Sequence, residues 1–201
     1  MLVAVLAVQG SFAEHEMVLK KSGISYVELR QKKDLSLSFD GLILPGGEST
    51  VQAKLLCDLD MYDTLKDMIQ NGLPTLATCA GLILLADRIS NDTVGHFKTM
   101  PITVKRNAYG RQLGSFYTEG DFKGIGKVPM TFIRAPYIES VQDGVEILSK
   151  VDGNIVAVRY ENQIGLSFHP ELNDDMGIYD MFLDIVRNHS ALVKKAGTLR
   201  A

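Results

Sequence analysis

The chain has 201 residues, and its 21 Lys and Arg against 24 Asp and Glu give a formal net charge of −3. Hydrophobic residues make up 46% and charged residues 22%, which is ordinary for a globular protein and excludes a disordered chain, a collagen and a coiled coil. The mild acidic balance, without a long Lys or Arg run, argues against a nucleic-acid-binding protein. The length predicts one domain over residues 1–201.

Apolar runs and cysteine content predict a cytoplasmic protein without a membrane segment. No apolar run approaches the roughly 20 residues that a membrane helix requires. The apolar run Met1–Val8 has no basic region and stops at Gln9, so it predicts a buried strand rather than a signal peptide. The two cysteines, Cys57 and Cys79, are too few for a disulfide framework and suit a reducing compartment.

The first ninety residues alternate between apolar strands and helices. Ser11 and Glu14 have the spacing of a capping box, and the second helix is expected to be interrupted near Asp58–Asp60. Continuous apolar strands that alternate with helices predict a three-layer α/β/α fold with a mostly parallel central sheet. The predicted strands are Leu2–Val8, Ser25–Leu29, Gly41–Leu44 and Leu73–Thr78, and the predicted helices are Ser11–Lys21, Thr50–Gln70 and Ala80–Ile89.

Short β-like runs follow between residues 93 and 168. The dipeptide Glu161-Asn162 separates two of these runs and predicts a hairpin turn. An amphipathic helix is predicted over Asp174–His189. The β-like runs are Pro101–Lys105, Met130–Ile133, Ile155–Tyr160 and Gln163–Phe168.

Cys79 lies between a predicted strand and a predicted helix, with small residues on both sides. A strand that enters a helix through one such residue predicts a nucleophile elbow. The start of the helix would favour the thiolate and offer the Ala80 N–H to an oxyanion. The alternative is a small buried hydrophobic residue, as most free cysteines are. Cys57, in an apolar helical stretch, is predicted to be such a buried structural residue.

A cysteine nucleophile requires a base, and among four histidines His169 has the most suitable context. It follows a predicted strand, and the carboxyl ends of strands are where sites assemble in α/β sheets. Glu171, two residues on, can orient the imidazole and favour its charged form. His96 and His189 are predicted to be surface or packing residues. His15 begins an H-E-x-x-H zinc motif that lacks its second His, so no metal site is predicted.

The segment L-P-G-G-E-S-T at residues 44–50 has two interpretations. It can be a tight turn in which Ser49 or Thr50 caps the following helix. Alternatively, the backbone of Gly46 and Gly47 forms an oxyanion hole and a cradle for a substrate carboxylate. The segment lacks the G-K-[ST] end of a phosphate-binding loop and the G-x-S-x-G frame of a serine hydrolase.

Taken together, three stretches resemble the class I, or triad, glutamine amidotransferases: residues 44–50, T-C-A-G at 78–81 and F-H-P-E at 168–171. A-V-Q-G at 7–10, R-N-A-Y-G-R-Q at 106–112 and F-I-R-A-P at 132–136 resemble, more narrowly, the glutaminase subunits of pyridoxal 5′-phosphate synthases. The resemblance extends from residue 2 to about residue 189. One departure is Ala77, where elbows of the larger family usually have Gly.

The resemblance implies a flavodoxin-like, class I amidotransferase fold and a glutaminase. Its triad would be Cys79 as nucleophile, His169 as general base and acid, and Glu171 as the group that holds His169. No metal and no organic cofactor are implied. The residues implied to hold glutamine are Gly47, Glu48, Ser49, Arg106, Ile133 and Arg134.

The resemblance also implies a partner, the synthase subunit that uses the ammonia to make pyridoxal 5′-phosphate from a pentose phosphate and a triose phosphate. Gln9 and Gly10, at the end of the first strand, are predicted to sense this partner and to touch the glycine loop. The peptide between Gly46 and Gly47 is predicted to flip when the partner docks, since neither residue has a Cβ.

Two alternatives stay open at the level of sequence. A cysteine-elbow peptidase or stress protein of similar fold commonly has His directly after the cysteine, where this chain has Ala80. A binding module that has lost catalysis would lack a triad residue, and none is missing here. A glutaminase assay with and without the synthase subunit separates the three functions.

Overall fold

The computed structural model describes residues 1–92, 96–108 and 114–198, which form a ten-stranded sheet, a separate two-stranded hairpin and five α-helices. The strands are β1 (Leu2–Leu6), β2 (Ser25–Leu29), β3 (Gly41–Leu44), β4 (Thr75–Thr78), β5 (Ala86–Ile89), β6 (Met100–Lys105), β7 (Ser115–Phe122), β8 (Gly126–Ile133), β9 (Tyr137–Val141), β10 (Glu146–Val151), β11 (Asn154–Tyr160) and β12 (Gln163–Leu166). The helices are α1 (Phe12–Lys21), α2 (Ser49–Asp58), α3 (Tyr62–Gln70), α4 (Ala80–Leu85) and α5 (Gly177–Thr198).

The large sheet has a parallel half that carries the predicted site. Its order is β2-β1-β3-β4-β12-β11-β9-β6-β5, with β10 also paired to β11. The five strands from β2 to β12 are parallel to one another. Strands β11, β9 and β10 join the sheet through antiparallel pairs. The predicted α/β fold is confirmed, and the antiparallel strands extend it on one side.

Both faces of the parallel strands are buried, which explains their continuous apolar sequences. Val3 and Val5 lie in the core on one face of β1, whereas Ala4 and Leu6 lie in the core on the other, and all four are fully buried. Helices α1 and α5 and the β7–β8 hairpin cover the first face. Helices α2, α3 and α4 cover the second. Burying each Leu or Val contributes about 1.5–3 kcal/mol relative to exposure, so this layering is strongly favoured.

The helix predicted over Ala80–Ile89 is shorter than expected. It ends at Leu85, and the N–H groups of Phe97 and Thr99 donate to its last two carbonyls. Residues 86–89 form strand β5 instead, because they pair with β6 in parallel. The apolar local sequence favours a helix at residues 86–89, but pairing with β6 makes this segment a strand.

Several other predicted features are confirmed. The interruption of the second helix separates α2 from α3, with Asp60 at φ +55°. The Glu161-Asn162 turn joins β11 to β12, with Tyr160 opposite Gln163. The last helix begins later and ends later than predicted. In the described part of the chain, no helix is both long and apolar enough to span a membrane.

Cys57 is exposed, so its interpretation as a buried structural residue is wrong. Helix α2 buries Gln52 and Leu56, four positions apart, which places the neighbouring Cys57 on the solvent side. The two free cysteines therefore differ in environment, because Cys79 is buried.

Candidate active site

Cys79 occupies a strained turn between β4 and α4. Its backbone has φ +47° and ψ −97°, a conformation that residues with a side chain rarely adopt and that costs on the order of 1–3 kcal/mol. The Cys79 N–H donates to the Leu166 carbonyl at 2.8 Å, so strand β12 holds the turn in place. The sharp strand-to-helix turn that the sequence predicts is present.

Ala77, the departure from the usual elbow, lies in the core directly before the turn. Ala77 is fully buried and pairs in register with Gly165 of β12. A Cβ on Gly165 would lie 2.6 Å from Leu82 Cδ1, so the core is closely packed at this register position. The turn at Cys79 forms with alanine at this position.

His169 and Glu171 lie beside Cys79 at the end of β12. A short 3-10 turn, Pro170–Leu172, brings the carboxylate back under the imidazole, and His169 Nδ1 lies 2.7 Å from Glu171 Oε1. The backbone N–H of His169 donates to the Thr131 carbonyl at 2.8 Å, which fixes the residue from the β8 side. Since Nδ1 is occupied, Nε2 is the ring nitrogen that remains for the hydrogen bond with Cys79.

His169 and Glu171 each stabilise the charged form of the other. Burial by itself would lower the pKa of His169, but hydrogen bonds with Cys79 and Glu171 and their negative charge raise it to about 10. Burial would raise the pKa of Glu171, but His15 and the hydrogen bond with His169 outweigh it and lower the pKa to about 2. At neutral pH the pair is therefore a carboxylate and an imidazolium, which is suited to stabilise a thiolate.

The glycine loop after β3 packs directly against the imidazole. A Cβ on Gly46 would lie 2.3 Å from His169 Cε1, so only glycine fits there. The Gly46 carbonyl accepts a hydrogen bond from the Ser11 N–H at 2.9 Å, so the β1–α1 loop holds the peptide between Gly46 and Gly47 in its present orientation. Gly10 has φ +105° and a Cβ there would lie 1.9 Å from the Gly46 oxygen, which places Gly10 against this loop.

The loop is further tied to Gln9 by a residue that sequence reasoning missed. Gln9 Oε1 accepts from the Glu48 N–H at 2.9 Å. The fully buried Gln52 donates through Nε2 to the carbonyls of Gln9 at 3.0 Å and Pro45 at 3.2 Å. The sequence signal for Gln52 was its polar amide on the inward face of an amphipathic helix. Gln52 thus joins the first-strand loop to the glycine loop.

The simple helix-capping interpretation of residues 44–50 is not supported. Helix α2 begins at Ser49 with Glu48 in the N-cap position, and no side chain makes a capping hydrogen bond there. Ser49 is buried, and its Oγ has no hydrogen-bond partner among the described residues. Its hydroxyl is therefore available to a ligand.

Arg106 is held by two carboxylates at the mouth of the cleft. Its Nη1 donates to Asp92 at 2.8 Å and its Nη2 donates to Glu48 at 2.7 Å. Ile133 contributes its carbonyl oxygen, 3.9 Å from Cys79 Sγ. Arg134 is exposed on the rim at φ +43°. Arg106 thereby links the β5–β6 connection to the glycine loop.

A cleft of about 420 Å³ unites most of the predicted residues. Ala80 and Glu171 are buried beside or behind it. Residues 109–112 of the R-N-A-Y-G-R-Q stretch lie outside the described residues. The predicted residues that line the cleft are Gln9, Gly46, Gly47, Glu48, Ser49, Cys79, Arg106, Ile133, Arg134 and His169, together with Ser11, Ile83 and Asn107.

Ser11, which directly precedes α1, and His15, which lies in α1, both contact the site, and the sequence did not indicate this. Ser11 Oγ donates to Glu171 Oε1 at 2.8 Å and makes no capping bond, so the predicted capping box is wrong. His15 is fully buried, and its Nε2 lies 3.5 Å from Glu171 Oε2. Residues four apart share a helix face, but nothing local indicated that this face meets a carboxylate 160 residues away.

A buried Cys–His–Glu group at the carboxyl edge of a parallel sheet defines the class of thiol-dependent acyl-transfer sites. The model of the SNO glutamine amidotransferase family matches residues 5–188, and the chain belongs to this family.

Individual proteins are similar to this chain over nearly its whole length. A Desulfitobacterium hafniense (strain Y51) protein named pyridoxal 5′-phosphate synthase subunit PdxT is 65% identical over 186 residues, covering 92% of this chain and 94% of that protein. A Haemophilus influenzae (strain PittGG) protein of the same name is 52% identical over 190 residues, covering 93% and 99%.

Solved structures show the same fold. A crystal structure described as a glutamine amidotransferase is 38% identical, with a TM-score of 0.87 over 92% of this chain and 98% of that one. The PurLQS structure from Thermotoga maritima is only 14% identical, with a TM-score of 0.63 over 94% of this chain and 97% of that one, and it supports the fold alone.

Proposed function

We propose that this chain is the glutaminase subunit of a pyridoxal 5′-phosphate synthase and hydrolyses L-glutamine to L-glutamate and ammonia. The observation that carries the proposal is the buried, hydrogen-bonded group of Cys79, His169 and Glu171 in a chain of this family. The near-full-length similarity to proteins named PdxT supports the specific synthase. A cysteine-elbow peptidase is not favoured, since neither the family match nor these relatives point to one.

The first half of the reaction forms a thioester. The Cys79 thiolate attacks the side-chain amide carbon of glutamine, and backbone N–H groups of the Gly46–Gly47 loop and of Ala80 stabilise the oxyanion. The imidazolium of His169 gives its Nε2 proton to the departing nitrogen, which leaves as ammonia. Glu171 keeps its charge throughout and holds Nδ1 of the ring.

The second half releases glutamate. Neutral His169 removes a proton from water, and the resulting nucleophile attacks the thioester carbon. The carbon–sulfur bond breaks, the thiolate is restored, and the proton on His169 again supports it. This cycle needs no metal and no organic cofactor.

Glutamine itself is held mainly by the glycine loop and its neighbours. The backbone of Gly47 and the hydroxyl of Ser49 bind the amino-acid end, and Glu48, Ile133 and Arg134 also line the cleft around the substrate. Arg106 acts through Glu48, because its guanidinium is already paired with Glu48 and Asp92.

Arg106→Met is expected to raise the KM for glutamine about tenfold with kcat changed less than about twofold, because a lost charge-assisted hydrogen bond is worth about 1.5 kcal/mol. Steady-state kinetics over a glutamine series measure both constants. Arg88→Met is the matched control, since Arg88 is an exposed arginine of β5 that does not line the cleft. An Arg106 variant with unchanged KM would contradict this role.

The ammonia is delivered to a synthase subunit, which makes pyridoxal 5′-phosphate from a pentose phosphate and a triose phosphate. A heteromeric complex in the cytoplasm fits this role, since an unpaired thiol nucleophile requires a reducing compartment. Pyridoxal 5′-phosphate is then a product of the complex.

The isolated chain is expected to be a poor glutaminase that the synthase subunit activates roughly a hundredfold, which needs about 3 kcal/mol of differential binding. The peptide between Gly46 and Gly47 is the proposed switch. Its present orientation is held by the Ser11 N–H, so turning an N–H toward the oxyanion breaks that bond. Gln9 and Gly10 contact the loop and are placed to transmit docking.

Glutaminase activity measured against added synthase subunit tests both the function and the gating. Glutamine should in turn tighten synthase binding, because coupling between two sites is reciprocal. The Cys79→Ala variant allows that affinity to be measured without turnover. Full activity of the isolated chain would remove the gating, and no activity under any condition would remove the glutaminase function.

A further inference from the structure

A buried polar group lies behind Glu171 and has no part in the mechanism above. His15 of α1, Thr78 of β4 and Tyr179 of α5 are all fully buried. His15 Nδ1 lies 2.6 Å from the Tyr179 hydroxyl, and His15 Nε2 lies 3.3 Å from Thr78 Oγ1 and 3.5 Å from Glu171 Oε2. Three separate elements thus converge on the side of Glu171 that faces away from His169.

The two oxygens of the Glu171 carboxylate are unequally satisfied. Oε1 accepts hydrogen bonds from His169 Nδ1 at 2.7 Å and from Ser11 Oγ at 2.8 Å. Oε2 is buried and accepts no well-formed hydrogen bond from any described residue. His15 Nε2, at 3.5 Å, is the nitrogen paired with it. A donor that faces a buried carboxylate oxygen favours the charged form of the carboxylate, so the protonation state of His15 affects the pKa of Glu171.

The surroundings of His15 determine which nitrogen carries its proton. Burial lowers the pKa of His15, and the positive His169 lowers it further despite the opposing charge of Glu171, so the ring is neutral with one N–H. Burial raises the pKa of Tyr179, so its phenol keeps a proton that it can donate. Because a carboxylate oxygen of Glu171 faces Nε2, the tautomer with the proton on Nε2 is favoured, and the phenol then donates to Nδ1. The single imidazole proton is then on Nε2, directed toward Thr78 and Glu171.

We propose that His15 is a positioning residue for the triad: with its tautomer supported by Tyr179, it presents an N–H to Glu171 Oε2 and keeps that carboxylate ionised and directed at His169. This inference rests on the proposed function of Cys79, His169 and Glu171. Oε1 of Glu171 thus accepts from Ser11 and His169, and His15 Nε2 is the nitrogen that faces Oε2, at 3.5 Å.

The proposal predicts a specific loss when His15 is removed. The ionisable groups that face Glu171 are His169, His15 and Tyr179. Cys79 interacts with His169 and so affects Glu171 indirectly. Glu14 contributes a negative charge near His15. Without the His15 N–H, Glu171 takes up a proton at a higher pH, and the imidazolium of His169 loses its partner. We therefore expect Cys79 to react more slowly with an electrophile at the acidic end of the pH range.

The experiment uses the chain with Cys57→Ser, in which Cys79 is the only thiol. Its rate of alkylation by iodoacetamide is measured from pH 4 to pH 9, roughly the range over which carboxyl and imidazole groups titrate in proteins. Glutaminase kcat and KM are measured in complex with the synthase subunit. The variants are His15→Leu, His15→Gln, whose amide nitrogen can replace Nε2, and Tyr179→Phe.

We expect His15→Leu to move the acidic limb of the alkylation profile to higher pH and to lower kcat by about thirtyfold with KM within about twofold, as for loss of one hydrogen bond to a charged group. His15→Gln should restore most of the rate. Tyr179→Phe should give an intermediate loss of about fivefold, because the His15 proton is then no longer fixed on Nε2.

The matched control is Gln163→Leu. It removes a buried side-chain hydrogen bond to Thr99, 2.8 Å long, at the opposite end of the strand that leads to His169. We expect it to lower the melting temperature without changing the alkylation profile. If His15→Leu does not fold, Tyr179→Phe and His15→Gln carry the test.

The outcomes separate the inference from the function on which it rests. If alkylation of Cys79 in the parent chain is no faster than that of free cysteine, the triad itself is wrong. If the parent alkylation is faster and the His15 and Tyr179 variants match it, the positioning role is overturned. A His15→Gln variant that folds but is as impaired as His15→Leu also overturns it, as does Gln163→Leu shifting the profile equally.

Discussion

Replacing Cys79 with alanine is expected to abolish glutamine hydrolysis, with a loss of several orders of magnitude in kcat, while Cys57→Ala leaves turnover within about twofold of the parent. Cys79 is the buried residue of the strained turn beside His169, whereas Cys57 is exposed on α2. Cys79 is the cysteine that lines the cleft, and Cys57 does not line it. Initial rates of glutamate release, measured with the synthase subunit present, give the comparison. Near-normal turnover by the Cys79 variant would refute the assignment of the nucleophile.

Chemical labelling tests the same assignment without a mutation. A glutamine analogue that carries a diazoketone or an epoxide should modify Cys79 alone. The exposure of Cys57 makes this a demanding test, because simple access favours labelling of Cys57. Mass mapping of the adduct to Cys57 would count against the proposed site.

The parts of the fold that the sequence predicted well are those whose strands are buried on both faces. Runs such as Gly41–Leu44 are apolar at every position because helices cover both sides of the sheet. Strands β7, β9 and β10 were not predicted, because they are not buried along both faces. In β7 exposed positions alternate with partly buried ones up to Gly120, and its pairing with β8 rather than its own composition makes it a strand. Strand β5 similarly depends on β6.

The parts of the site that were predictable are those with a local cause. Cys79 and His169 each directly follow a buried strand, and the glycines of the loop after β3 stand in an unusual pair. Because β3, β4 and β12 are adjacent and parallel, their carboxyl ends meet at one edge, so three local signals become one cleft.

His15 and Tyr179 had no such signal, and the signal for Gln52 was only an amide on the inward face of α2. Tyr179 lies 164 residues from the histidine with which it shares a hydrogen bond, and each looks like an ordinary residue of an amphipathic helix. Their contribution depends on how α1, α2 and α5 dock onto the sheet, and that docking follows from packing rather than from local sequence. Ser11 illustrates the same limit, since its spacing to Glu14 favoured a cap and tertiary structure gave its hydroxyl to Glu171.

His169→Asn is expected to reduce kcat by roughly 10⁴-fold or more, and Glu171→Gln by roughly 10²-fold, because only the imidazole both takes and gives the proton. The amide oxygen of a glutamine at position 171 can still accept from His169 Nδ1 and Ser11 Oγ, the two donors that Glu171 Oε1 now serves. What is lost is the negative charge that helps to raise the pKa of His169 to about 10.

The direction in which the pH profile of kcat/KM shifts distinguishes the role of Glu171 from that of His169. Without the Glu171 charge, the pKa of His169 falls, so the imidazolium is lost at a lower pH and the alkaline limb of kcat/KM should move to lower pH in Glu171→Gln. His189→Asn, a histidine of α5 that does not line the cleft, is the control and should leave the profile in place. A Glu171→Gln variant more impaired than His169→Asn, or one whose alkaline limb moves upward, would contradict the assignment of Glu171 as the group that holds the charged imidazole.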